Sequence, residues 1–160
     1  MARKVFFSFH YQMDIWRVNQ IRMAHIVEGT AAAGFHDASL WEEAKRKGDD
    51  AIHGLINRGL EGTTVTAVLI GSQTANRKYV KYEIDQSIAR GNGLLGVYIH
   101  DLKDQRGLSS PQGDNPFDRL NWSSNGRKLS TTYRTYYWLL NLGYKNFGQW
   151  VEDAAIAAGR

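Results

Sequence analysis

The chain has 160 residues, a hydrophobic fraction of 42%, a charged fraction of 22% and a formal net charge of +4. That length suits one domain around one core, so residues 1–160 are expected to form a single domain. No cysteine is present, which excludes a disulfide framework, a thiolate zinc site and a cysteine nucleophile, and suits a cytoplasmic location.

Residues 5–9, Val5-Phe6-Phe7-Ser8-Phe9, are a short apolar run that predicts a buried first strand. The basic start before it is followed by too few apolar residues for a signal-peptide core, and no stretch approaches a membrane span. Asp14 can cap a helix running to about residue 28 and ended by Gly29. Gly34-Phe35-His36-Asp37 is a short candidate for the second strand. Ser39-Leu40-Trp41-Glu42 has capping-box spacing, but Gly48 interrupts the polar run behind it. Residues 41–48 therefore read as a mobile loop or a single turn. A helix follows from Asp49 or Asp50, with Ile52, Leu55 and Ile56 on one side, ending near Gly59.

Residues 63–70 give the clearest strand, since its VTAVLI run suits a central parallel strand covered on both faces. Thr74 or Asn76 caps the next helix, whose core stripe is Val80, Ile84 and Ile88 and whose end is Gly91. Residues 94–99 form another strand, followed by a polar loop over residues 100–118 that holds both prolines. Residues 121–130 offer at most a short edge strand. A helix is expected over about residues 132–142, and a last one opens at Asn146 with Phe147, Trp150, Val151, Ala154 and Ala155 in helical period.

This alternation predicts an α/β fold: a flavodoxin-like three-layer domain with a central, mostly parallel sheet and helices on both faces. Ligands in such folds bind at the carboxyl ends of strands. Four polar segments converge there, at residues 8–11, 37–41, 71–73 and from His100 onward. The helix carrying Tyr79 and Glu83 leaves the third of them. At about 100° per residue, both side chains flank the Val80/Ile84/Ile88 stripe, which makes Glu83 a rim carboxylate, half in and half out. A solvated helix glutamate is the plain alternative.

Other motifs carry little. Gly91-Asn92-Gly93-Leu94-Leu95-Gly96 matches a dinucleotide fingerprint but ends a helix and enters a strand, the reverse of what phosphate binding needs. The five histidines show no metal spacing, so no metal is expected. Basic residues are scattered, and nucleic acid is not an expected partner.

Taken together, FFSFHYQ, FHDASLWEEAK, LIGSQTANRKYVKYEI and DNPFDRL resemble the TIR-like proteins of the Thoeris anti-phage defence system. Tyr79 stands where many TIR domains have tryptophan. The resemblance implies an enzyme that cleaves NAD at the nicotinamide–ribose bond and makes a cyclic ADP-ribose isomer, with NAD as substrate and no cofactor. It implies Glu83 as the catalytic residue and Phe6, Ser8, Phe9, His10, Tyr11, Trp41, Ser72, Tyr79 and Asn115 around the substrate. It further implies self-association through TIR surfaces, a separate effector that senses the product, and a phage-derived trigger. An ordinary carboxyl pKa of about 4.3 would leave Glu83 ionised at neutral pH. Two other readings are a TIR-like interaction module without turnover and a signalling receiver, which would need clustered acids beyond Asp37 and Asp101.

Overall fold

The computed structural model describes residues 3–24, 27–31 and 38–160. Its elements in chain order are β1 (Lys4–Ser8), α1 (Tyr11–Met23), β2 (Glu28–Thr30), α2 (Ala38–Lys47), α3 (Asp49–Leu60), β3 (Val65–Ile70), α4 (Lys78–Ala89), β4 (Gly93–Tyr98), α5 (Pro116–Arg119), β5 (Thr135–Tyr137) and α6 (Gly143–Ala157). The five strands form one sheet in the order β2-β1-β3-β4-β5, and every pairing is parallel. Helices cover both faces, so the fold is the flavodoxin-like α/β architecture.

β3 explains the layering. All six of its residues are buried, and successive side chains point to opposite faces. Ala67 and Leu69 join Phe7, Val18, Ile21, Phe147 and Trp150 under α1 and α6. Val68 and Ile70 join Val80, Ile84 and Phe117 under α4 and α5. A third cluster, Phe6 with Trp41, Ile52 and Ile56, closes the sheet beneath α2 and α3.

Several elements differ from the expectations. His10, not Asp14, caps α1: its Nδ1 accepts from the Met13 N–H at 3.3 Å. Asp14 is instead buried in the first turn. The second strand is Glu28–Thr30, inside what read as the end of a helix, paired to β1 from Lys4 to Phe6. Residues 34–37, the earlier candidate, lie outside the described residues.

The stretch read as a loop is the helix α2. Trp41 and Ala44 bury against Ile52 and Ile56, and Glu43 pairs with Lys47 on the outer face at 3.1 Å. Gly48, at φ 106°, then separates α2 from α3 in a backbone conformation that side chains disfavour.

The helix expected over residues 132–142 is absent. Tyr136 stacks on Trp150 at 4.2 Å and Tyr137 on Tyr98 at 4.6 Å, so consecutive rings serve opposite sides of an edge strand. Pairing with β4 overrides the helical spacing there. Residues 121–130 contribute one antiparallel bridge, Asn121 to Lys128, rather than a strand. α6 opens at Gly143, earlier than Asn146.

Candidate active site

The carboxyl ends of β1 and β3 and the start of α4 meet at one rim of the sheet. β3 ends at Ile70, and Gly71 begins a turn in which Thr74 Oγ1 accepts from the Gly71 N–H at 2.8 Å. A short 3₁₀ turn, Thr74–Asn76, leads to Arg77, which caps α4. One helical turn on, Glu83 faces β1. Ser8 Oγ donates to Glu83 Oε1 at 2.7 Å, across 75 positions of sequence.

Glu83 is only 5% exposed, so the half-exposed rim position expected of it gives way to a buried one. Burial raises its carboxyl pKa to about 8, against smaller opposing effects of the Ser8 hydrogen bond and the Arg77 charge. The expectation of an ordinary, ionised glutamate is thereby corrected: at neutral pH the side chain is held protonated. The reason is that α4 turns Glu83 inward over β1, where water that would solvate a carboxylate is displaced by Ser8, Val80 and the rings nearby.

A cavity opens beside this carboxyl group, lined by Phe7, Phe9, Tyr11, Trp41, Arg77 and Tyr79, with Ala31, Val80 and Glu83 completing it. Its volume is about 20 Å³, near the room one water needs. Phe9 stacks on Tyr11 at 5.7 Å. Trp41 closes the opposite side, its ring edge-on to Tyr79 at 5.6 Å. Among the described residues, the buried Trp41 indole N–H has no hydrogen-bond partner. Tyr79 is fixed from outside, its hydroxyl donating to Asp49 Oδ1 at 2.6 Å.

Of the ten residues the sequence nominated, Phe9, Tyr11, Trp41, Tyr79 and Glu83 share this cavity and Ser8 touches Glu83. His10 is buried at the start of α1, and burial, then the Arg77 and Lys45 charges, lower its pKa and keep it neutral. Phe6 lies fully buried in the α3 cluster, one layer below. Ser72 follows Gly71 and is not a wall of the cavity. Asn115 caps α5 instead: its Oδ1 accepts from the Phe117 N–H at 3.0 Å, and its amide donates to Thr135 Oγ1 at 3.0 Å.

Phe7 lines the cavity as part of the stretch from Phe6 to Tyr11, and Arg77 lines it without having been nominated. Arg77 was legible only as a cation placed at a helix start whose first turn carries no acid.

A second buried assembly braces the rim. Asp14 and Arg17, both nearly inaccessible, pair at 3.1 Å. Arg17 also donates to the carbonyls of Leu102 at 2.7 Å and Leu108 at 3.0 Å, tying the loop after β4 to α1. Gly71 is required beside them, because a Cβ there would lie 2.1 Å from Asp14 Oδ2. Burial pushes the Asp14 carboxyl pKa up, with Arg17 opposing. Among the described residues no group of three or more His, Cys, Asp or Glu side chains is arranged to hold a metal ion.

A parallel 2-1-3-4-5 sheet, with a buried glutamate in the helix after β3 and an aromatic wall from β1, defines a TIR-type α/β domain. The family model of "Thoeris protein ThsB, TIR-like domain" matches residues 6–104. A protein of Bacillus cereus (strain MSX-D12) named "Putative cyclic ADP-D-ribose synthase ThsB1" is 41% identical, over 95% of this chain and 100% of its own length. The chain therefore belongs to the Thoeris ThsB TIR-like family.

Proposed function

We propose that this protein is an NAD-cleaving enzyme that releases nicotinamide and joins the remaining ADP-ribose into a cyclic isomer. The observation that carries the reading is the Ser8–Glu83 pair buried at the strand ends, in a chain so similar to one named a cyclic ADP-D-ribose synthase.

The chemistry follows from one carboxylate. The ribose C1′–nitrogen bond breaks, its electron pair leaves with neutral nicotinamide, and positive charge develops on the ribose. An anion held close by stabilises that charge. An adenosine-side hydroxyl then bonds to C1′ and passes its proton to Glu83, which gives the cyclic product. Water in place of that hydroxyl gives linear ADP-ribose, so the aromatic wall that excludes water favours cyclisation. Glu83 is protonated in the empty site. A bound nicotinamide cation lowers its pKa and draws it toward the carboxylate form.

Small-molecule sites span about 300 to 1,000 Å³, far above the 20 Å³ beside Glu83. Substrate entry therefore needs this space to widen, and Trp41, which closes one side of it, is the wall that would give way with α2. That requirement fits an enzyme awaiting a trigger from infection, self-associating through its surfaces and signalling to a separate effector in the cytoplasm. No cofactor is needed for the reaction. Among the described residues, no helix is long and apolar enough to cross a membrane.

The test is incubation with NAD, with and without extract of infected cells, followed by chromatography and mass spectrometry. Nicotinamide and a cyclic ADP-ribose isomer are expected, and both vanish with Glu83→Gln. Equal turnover by folded Glu83→Gln sinks the role given to Glu83. An NAD pool left intact under both conditions sinks the reading as a whole.

A further inference from the structure

Arg77 stands where two cavities meet. It lines the space of about 20 Å³ at Glu83. It also lines a second space of about 290 Å³ between the start of α4 and α5, shared with Asn76, Lys78, Lys81, Pro116 and Arg119. The cations around it are committed to acids: Lys78 to Asp49 at 3.0 Å, Lys81 to Asp85 at 2.8 Å, and Arg119 to Asp114.

Arg77 differs. Among the described residues its guanidinium has no ion pair, and it rests 6.0 Å from the centre of the Tyr79 ring. It is half-buried, and its charge reaches both Glu83 and His10. It also caps α4, whose first turn contains no acidic residue and receives no side-chain cap. A cation at the positive end of a helix is disfavoured, so helix stability does not account for an arginine here.

A dinucleotide is two ribosyl halves joined by a doubly charged pyrophosphate, and a guanidinium fork matches phosphate oxygens in geometry and charge. We propose that Arg77 is the substrate-binding residue for the pyrophosphate, which crosses from one cavity to the other at the start of α4. The nicotinamide riboside half then points to Glu83 and the adenosine half to the larger space beside α5. This deepens, and rests on, the NAD reading of the Glu83 site.

Calorimetric titration of the full chain with NAD, ADP and nicotinamide riboside tests it, using wild type, Arg77→Gln and Arg77→Lys. Arg77→Gln is expected to weaken NAD and ADP by roughly ten- to a hundred-fold, the loss of a charge-assisted hydrogen bond. Nicotinamide riboside, a cation that carries no phosphate, loses no affinity and gains where Arg77 repelled it, and Arg77→Lys recovers part of the loss for NAD and ADP. Unchanged NAD affinity in Arg77→Gln overturns the proposal, as does an equal loss for nicotinamide riboside, which marks a structural role.

Should Arg77→Gln not fold, Arg77→Lys and the wild type's salt response decide. NAD and ADP must weaken with added salt far more steeply than nicotinamide riboside, whose single charge is its pyridinium. Arg77-dependent NAD binding without turnover would sink the catalytic reading and leave this one standing. Turnover with Arg77-independent binding does the reverse. Absence of NAD binding by the wild type, with extract of infected cells as well as without it, overturns both.

Discussion

With the role proposed for Glu83, the pH dependence of stability and of activity should run in opposite directions. Unfolded, its carboxyl titrates near 4.5; folded, near 8. Between those values the folded state keeps a proton that the unfolded state has lost. Stability contributed by this group therefore falls as pH rises through that window, and the loss is complete above it. Glu83→Gln removes the charge and keeps the shape, so its melting temperature should exceed that of wild type increasingly from pH 6 to pH 9. The gain at the alkaline end is about 2 kcal/mol or more. Parallel melting curves across that range would contradict the buried, protonated carboxyl. In the proposed reaction Glu83 acts as the carboxylate, so kcat/KM should climb with pH and level off above about 8. Ser8→Ala withdraws the donor that favours the charged form, and should move that limb upward by roughly one pH unit. A profile left in place would mean that Ser8 is only a space-filler.

At the scale of the element, α2 is anchored by Trp41 and Ala44, and Trp41 closes one side of the cavity. Trp41 is buried among Phe6, Ala44, Ile52 and Ile56, yet its indole N–H finds no partner among the described residues. Trp41→Ala should cost about 3 kcal/mol of stability, the usual penalty for emptying a large aromatic site. It should also lower the apparent KM for NAD, because the ring no longer occupies the entrance. A rise in KM instead would make Trp41 a wall that holds the substrate. The same helix marks a limit of reading sequence: Gly48 suggested a loop, whereas the packing of Trp41 and Ala44 on Ile52 and Ile56 is what orders the helix. Tertiary contact, not propensity, decides such short segments.

For the molecule as a whole, the pieces legible in the sequence were those whose signal is local and strong. The VTAVLI run announced a two-sided strand, and the Val80/Ile84/Ile88 stripe announced α4 and put Glu83 beside it. What stayed hidden depends on partners far along the chain. Tyr136 and Tyr137 look helical until Trp150 and Tyr98 are known to receive them on opposite sides. Asp14 looks like a cap until Arg17 is seen reaching residues 102 and 108. The depth of Glu83, and hence its protonation, required the 75-residue contact with Ser8. Arg17→Ala leaves Asp14 buried without its cation and unties the loop after β4. Chemical denaturation should register a loss of about 3–5 kcal/mol, and a loss under 1 kcal/mol would show that the loop is held some other way.

The narrow space beside Glu83 separates how much the enzyme works from what it works on. When only a fraction of molecules is open, the apparent affinity of every ligand for the site is reduced by that same fraction. A stimulus that opens α2 therefore multiplies the apparent affinities for NAD, its analogues and competitive inhibitors by one common factor. Preference among them is untouched, because it is written in the walls and at Arg77. Inhibitors ranked on a constitutively open variant would keep their order on the wild type, and under the proposed trigger their potencies would rise together.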